Sequence, residues 1–346
     1  MRKKILILLT GLILGAATGW AKEVSGCVIL QHDGNETFFE AQDAKAAMDA
    51  AVEGDTLVFA EADADVYPRI TMNKKVYIIS SGYLRIDLDI PGNPSLDECL
   101  FQTYQHWIHI YVKSDVQRLY LNDTFVYIDA NTENVTVGSL EMDRCCCWGI
   151  WYNSGLKNFV ANNSQIMWNL YPSSDTDAVE SATFTNCYFE MGELKITNAT
   201  FNNCILNYTG EFITTEEGTL EPAGSFTVNG CTFNNCLMNK DGWVMGEGSK
   251  KTSCYDLDKD TFSNDKNYLT TNNYLGSDGT VVGEWGGTNP YNEGRTIAPY
   301  SYIQNLNKKG NKMRPTIYII DKENRDGYEK KTTYMRHDAI QPCCYC

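Results

Sequence analysis

The stretch YLRIDLDI, residues 83–90, places Arg85, Asp87 and Asp89 at alternate positions. Alternate residues of an extended strand share one face. With Leu84, Ile86, Leu88 and Ile90 turned inward, one guanidinium and two carboxylates project outward together. A base beside clustered carboxylates is the equipment of a calcium-assisted lyase. There the metal acidifies the proton next to a uronate carboxylate and the base removes it. Paired carboxylates also perform the acid and base steps of glycoside hydrolysis. A solvated strand face tied by an ion pair shows the same pattern. Arg85, Asp87 and Asp89 are therefore catalytic candidates of the weaker kind.

Aromatic residues make a second candidate. In HWIHIYVK and RLYLNDTFVYID, turning Ile108, Ile110, Val112, Leu119 and Leu121 inward turns Tyr111 and Tyr120 outward. Trp148, Trp151 and Tyr152 cluster in CCCWGIWY. Exposed rings on a long flat sheet stack on pyranose rings while acids and amides bond the hydroxyls. Rings that fill the interior or cover edge loops are the alternative. Tyr111, Tyr120, Trp148, Trp151 and Tyr152 are the candidate ligand-binding residues.

Metal chemistry finds little support. His106 and His109 are three apart, so one strand cannot aim both the same way. Glu61, Asp63 and Asp65 alternate as in some calcium loops, but without the glycine and distal Glu of an EF-hand. Cys343, Cys344 and Cys346 lack a fourth ligand at zinc-finger spacing. No metal site or cofactor is expected, with calcium reserved for the lyase alternative.

The elements that must position these residues are written in a repeat. ATFTNCYFE (182–190), ATFNNCILN (199–207) and CTFNNCLMN (231–239) align on an Asn-Cys pair, and VANNSQIM is a weaker copy with Ser164 in the Cys position. The spacings along this series are 23, 17 and 32 residues. A fixed local pattern at variable spacing means one rung per repeat with loops inserted between strands. Within each copy the period is two, hence strand-like. Phe184, Phe201 and Phe233 should point inward with Cys187, Cys204 and Cys236, and Thr183, Thr200 and Thr232 outward. Asn186, Asn203 and Asn235 suit a tight bend, because Asn tolerates left-handed backbone. Stacked bends should carry these amides in a ladder, each bonding the next. Leucine-rich repeats are the competing solenoid, but their Leu spacing is absent.

The stretch DAKAAMDAAVEGDTLVFAEADADVYPRITMNKKVYIISSGY resembles the opening of pectin-lyase-like parallel β-helix proteins. In that family a short helix (here about 41–52) caps the solenoid, followed by a Gly-Asp turn (Gly54, Asp55) and a first strand. The stretch 278–306, with Trp285, Gly286, Gly287 and Pro290, is similar to the glycine-rich closing segment of secreted bacterial β-helix proteins. The resemblance implies an all-β fold: a right-handed, single-stranded parallel β-helix with a short N-terminal capping helix. It says little about activity, since its members include lyases, hydrolases, adhesins and other proteins. The Arg-x-Pro-x-x-Arg lyase motif and the Asn-x-Asp and Asp-Asp hydrolase signatures are absent.

Residues 1–21 read as a secretory signal: Arg2, Lys3 and Lys4, an apolar run from Ile5 to Leu14, then Gly19 and Ala21. The expected organisation is 1–21 signal peptide, 22–40 lead-in, 41–290 parallel β-helix and 291–346 C-terminal strand segment with a polar tail. Without the three basic residues of the signal, 26 Lys and Arg face 44 Asp and Glu, a net of −18. The whole excess falls in 22–254, with 14 basic residues against 32 acids. Such a surface repels phosphates and argues against a nucleic-acid partner. No later segment reads as a membrane span. Cys187, Cys204 and Cys236, at one repeat position, fit as small apolar core residues, and among the 13 cysteines one or two disulfides are left open. The expected protein is secreted, periplasmic or at the cell surface, and non-catalytic, binding a glycan or another extracellular partner. The alternatives are a polysaccharide lyase or glycoside hydrolase acting on an acidic polysaccharide, and a purely structural or adhesive surface protein.

Overall fold

The computed structural model describes residues 27–319 apart from 60–67, 99, 104–106, 173–178, 209–211, 215–219, 223–225, 241–242, 259–260, 291–300 and 310–311. The leader-like segment, Glu61, Asp63, Asp65, His106 and the trio Cys343, Cys344 and Cys346 lie outside the described residues.

The chain winds between an eight-stranded and a twelve-stranded sheet, crossing from one to the other at each corner. Arg118–Asn122, Val137–Asp143, Leu156–Asn162, Ser181–Thr185 and Ala199–Asn202 are successive strands of the first. Leu84–Leu88, Ile108–Val112, Phe125–Ala130, Cys146–Tyr152 and Gln165–Pro172 are successive strands of the second. Pairing within both sheets is parallel, so the architecture is a β-solenoid. At the N-terminal end, Cys27–His32 and Asn35–Glu40 form an antiparallel hairpin that joins a further five-stranded sheet. The helix Ala44–Ala50 buries Ala44, Ala47 and Met48, the helical spacing of one face, and these side chains belong to the solenoid core.

Repeat register is as the alternation requires. Phe184 pairs with Phe201 and Phe201 with Phe233, and all three are 0% exposed. Their ring centroids lie 4.9 and 4.7 Å apart in stacked arrangement. Cys187, Cys204 and Cys236 are buried beside them. The wide spacing before Cys236 holds an antiparallel excursion, Phe212–Thr214 with Leu220–Pro222, and an extra strand, Phe226–Asn229, laid on Leu194–Thr197.

The Asn-Cys pair is a corner device. Asp123, Arg144, Asn163, Asn186, Asn203, Asn235 and Ser253 form a column of left-handed residues with φ between +48° and +54°. Asp and Asn pay little for that conformation because their short polar side chains bond locally. Arg144 is held there by ion pairs to Asp123 and Asp143 at 2.9 and 2.7 Å. From Asp123 to Asn235, each N–H donates to a carbonyl of the next rung at 2.9–3.1 Å. The following residue is Thr, Ser or Cys, whose side chain donates to the carbonyl two residues back. Thr124 and Ser164 do so at 2.8 Å, Cys187 and Cys204 at 3.4 Å, and Cys236 at 3.3 Å. A small side chain with a proton to give is thus what the corner selects, and Cys145, Cys146, Cys147, Cys187, Cys204, Cys231, Cys236 and Cys254 carry free thiols.

The expected ladder of corner amides is replaced by contacts to a strap. Asn186 Nδ2 donates to Glu284 O and Gly286 O at 3.0 and 2.8 Å, and Asn235 Oδ1 accepts from Ser277 N at 3.0 Å. An amide-to-amide bond occurs one residue earlier, Asn234 Nδ2 to Asn202 Oδ1 at 2.9 Å. The reason is close approach: a Cβ on Gly287, at φ +72°, would lie 2.6 Å from Asn203 Nδ2. Trp285-Gly286-Gly287 therefore lets residues 276–287 lie directly on the corner. Beyond it, Ser301–Lys309 and Lys312–Ile319 pair antiparallel, two strands where the sequence shows one.

Candidate functional site

The outward face of the twelve-stranded sheet has two ends of different character. Toward the C-terminus, Ile205 and Leu237 are covered by Leu269 of the helix Lys266–Thr271 and by Val282 of the strap. Toward the N-terminus, cross-strand register builds two rows of polar and aromatic side chains. One runs Arg69, Arg85, His109, Tyr127, Gly149; the other runs Thr71, Asp87, Tyr111, Asp129, Trp151.

Arg85 and Asp87 share this face as expected, but their partners differ from those of a poised base. Asp87 is buried, and its Oδ2 accepts from Arg69 Nε at 2.8 Å. Arg85 Nε stands 3.8 Å from Asp87 Oδ1, and its guanidinium lies 3.8 Å from the centre of the Tyr111 ring. That is a cation held over an aromatic face and beside a carboxylate, so the guanidinium is already engaged on both sides. Asp89 is exposed just past the end of the strand Leu84–Leu88, outside the row that holds Arg85 and Asp87. Asp129 is buried, which pushes its carboxyl above the ordinary carboxylate value. Among the described residues no three His, Cys, Asp or Glu side chains gather to hold a metal ion.

The rings form a connected patch. Trp107 meets Trp148 edge-on at 4.0 Å between centroids, Tyr83 at 5.7 Å and His109 at 5.9 Å. His109 in turn lies 4.5 Å from Tyr127 and 5.8 Å from Tyr111. Trp148 reaches this patch through a bulge: Cys147 and Gly149 pair with Val126 and Tyr127, and Trp148 is the extra residue. Gly149 leaves room for the neighbouring ring, since a Cβ there would stand 3.1 Å from Tyr127 Cε2. Burial first, then the Arg85 charge, holds the His109 imidazole below its ordinary value, so it joins the patch as a neutral ring.

Of the five ring candidates, Tyr111, Trp148 and Trp151 share this face. Tyr152 does not, since it is 1% exposed and its hydroxyl donates to Lys195 O at 2.9 Å inside the solenoid. Strand alternation explains it, for an outward Trp151 forces Tyr152 in. Tyr120 belongs to the eight-stranded sheet, beside Arg118 and Asn122, and faces a different part of the surface. Trp107, Tyr127 and Asp129 belong to the patch but are not among those candidates. The alternation that turns Tyr111 outward in WIHIYV also turns Trp107 outward, and FVYIDA does the same for Tyr127 and Asp129.

The chain matches no family model, and no curated protein or solved structure is significantly similar to it. No helix of the described residues is long and apolar enough to cross a membrane.

Proposed function

We propose that this β-solenoid is an exported, non-catalytic binding protein that holds a glycan chain on the N-terminal half of its twelve-stranded sheet. The observation that carries this reading is the connected ring patch of Trp107, Trp148, His109, Tyr127 and Tyr111 on a parallel sheet. Flat rings offer the faces of sugar rings an apolar platform, and Arg69 and Arg85, side by side at the start of one row, supply donors for hydroxyl or carboxylate oxygens. The resemblance to pectin-lyase-like proteins and the leader-like start agree with an extracellular polysaccharide as the partner. A lyase would need Arg85 free to take a proton, and its place over Tyr111 and beside Asp87 speaks for positioning instead.

The test is binding of purified protein to a panel of neutral and acidic polysaccharides, with unsaturated product followed in parallel in calcium. Trp107→Ala and Trp148→Ala should each abolish retention, with no product formed by any form of the protein. Retention undiminished in both variants would sink the proposal. Calcium-dependent unsaturated product that disappears with Arg85→Ala would replace it by the lyase reading.

A further inference from the structure

A second, separate groove of about 390 Å³ lies on the eight-stranded sheet, along the left-handed corner. Tyr120 and Asp143 line it from the sheet, Asn163 and Asn203 from the corner column, and Thr288 and Asn289 from the chain beyond the strap. Four parallel strand steps separate the Tyr120 strand from the Ala199–Asn202 strand, so the groove extends over about 19 Å.

The chemistry of the lining is narrow. Its one carboxylate, Asp143, is already bound by Arg144 Nη1 at 2.7 Å and Asn122 Nδ2 at 3.2 Å. No Lys, Arg or His is among the lining residues. The groove therefore offers no unpaired charge to an anion and too few carboxylates for a cation. Tyr120 is the one aromatic residue of the lining and no aliphatic side chain larger than Thr joins it, which disfavours a lipid-like ligand. What remains is amide and hydroxyl groups, which both give and accept hydrogen bonds. Two acceptors are left over. Asn163 Oδ1 and Asn203 Oδ1 are shielded from solvent and meet no donor among the described residues. Such atoms are uncommon in folded proteins and ask for a donor. Both atoms lie beneath the groove surface, so a ligand in the groove meets them only once the amide has turned about χ2.

We propose that this groove binds a short uncharged oligosaccharide, whose hydroxyls donate to Asn163 Oδ1 and Asn203 Oδ1 while one ring rests near Tyr120. The site is distinct from the aromatic patch and stands or falls apart from it. Asn203 then has two duties, shaping the bend and meeting a ligand, where the sequence suggests only the first.

Calorimetric titration of the full chain with maltotriose, cellotriose and mannotriose tests the proposal. Glycine adopts left-handed backbone without strain, so Asn163→Gly and Asn203→Gly remove the acceptors while keeping the corner. Far-ultraviolet circular dichroism and melting temperature verify folding. At least one trisaccharide should bind, and each variant should weaken it about two- to tenfold, the worth of one hydrogen bond. No binding of any of the three at tens of millimolar, or binding indifferent to both variants, would overturn the proposal. Loss of binding with Trp148→Ala instead would put the sugar on the aromatic patch and leave the groove without a role. Titration of calcium chloride or trigalacturonate that proves sensitive to Asn163→Gly, with the neutral sugars silent, would refute the uncharged class.

Discussion

Replacing Phe201 by Ala probes the repeat at its centre. Phe201 is 0% exposed and stands between Phe184 and Phe233, at 4.9 and 4.7 Å, with Phe189 edge-on at 5.5 Å. A buried Phe→Ala change costs about 3–5 kcal/mol through lost transfer energy and the cavity left behind. Ring pairs add about 0.5–1.5 kcal/mol each beyond area burial. Three ring neighbours on two sides put Phe201 at the upper end of that range. Parallel rungs above and below hold the backbone apart, so the site collapses poorly. Phe233 stacks on Phe201 on one side, while its register partner on the other is Lys251, and Phe233→Ala should cost about 1 kcal/mol less. Urea unfolding followed by far-ultraviolet circular dichroism and by tryptophan fluorescence measures both, and coincidence of the two probes tests whether one transition describes the solenoid. A one-residue register slip would turn Phe184, Phe201 and Phe233 outward together. A cost for Phe201→Ala below about 1 kcal/mol, the level of an ordinary surface or mild change, would refute the stacked core.

Cys204→Ser should cost no more than about 1 kcal/mol, because Ser164 already fills the same corner position and donates to Asn162 O at 2.8 Å; a loss nearer that of a large core deletion would disprove the corner account. Asn186→Ala should lower stability by about 2–4 kcal/mol through two lost bonds to the strap and a left-handed Ala, while Asn186→Gly spares the backbone part; equal losses in the two variants would show that the bend is not the issue. The folded-state value of His109 is below the ordinary 6.5, so the unfolded chain takes the proton first. Its contribution to stability is present above about pH 6.5 and is lost as pH falls through the folded value; His109→Gln should flatten the decline of melting temperature between about pH 7 and 5, and an unchanged slope would contradict it. Asp129 has the opposite linkage, for burial raises its carboxyl and the folded state takes the proton first. Asp129→Asn should therefore raise the melting temperature at neutral pH and gain less near pH 4, and a gain that grows on acidification would reverse the argument.

Local periodicity was enough to determine which side of each repeat strand is inside. Phe, Cys and Thr recur at matched positions, and a period of two in a buried strand leaves no freedom of face. The same logic turns Arg85 and Asp87 out together, and it extends to Trp107, Tyr127 and Asp129 once applied along the whole strand. What alternation cannot tell is which outward residues become neighbours. That depends on rung register, on the bulge that pushes Trp148 toward Trp107, and on which sheet a strand joins, which set Tyr120 apart from Tyr111. Nor does a bend residue reveal its partner. Asn186 and Asn235 bond a strap that returns 98 and 42 residues later in the chain, a contact made by tertiary folding alone. Along the groove the returning chain meets the corner closely, and Gly286 and Gly287 let its backbone lie within side-chain distance of Asn203. Spacing along the chain records the direction of a side chain, whereas the company it keeps is settled by which distant segment packs above it.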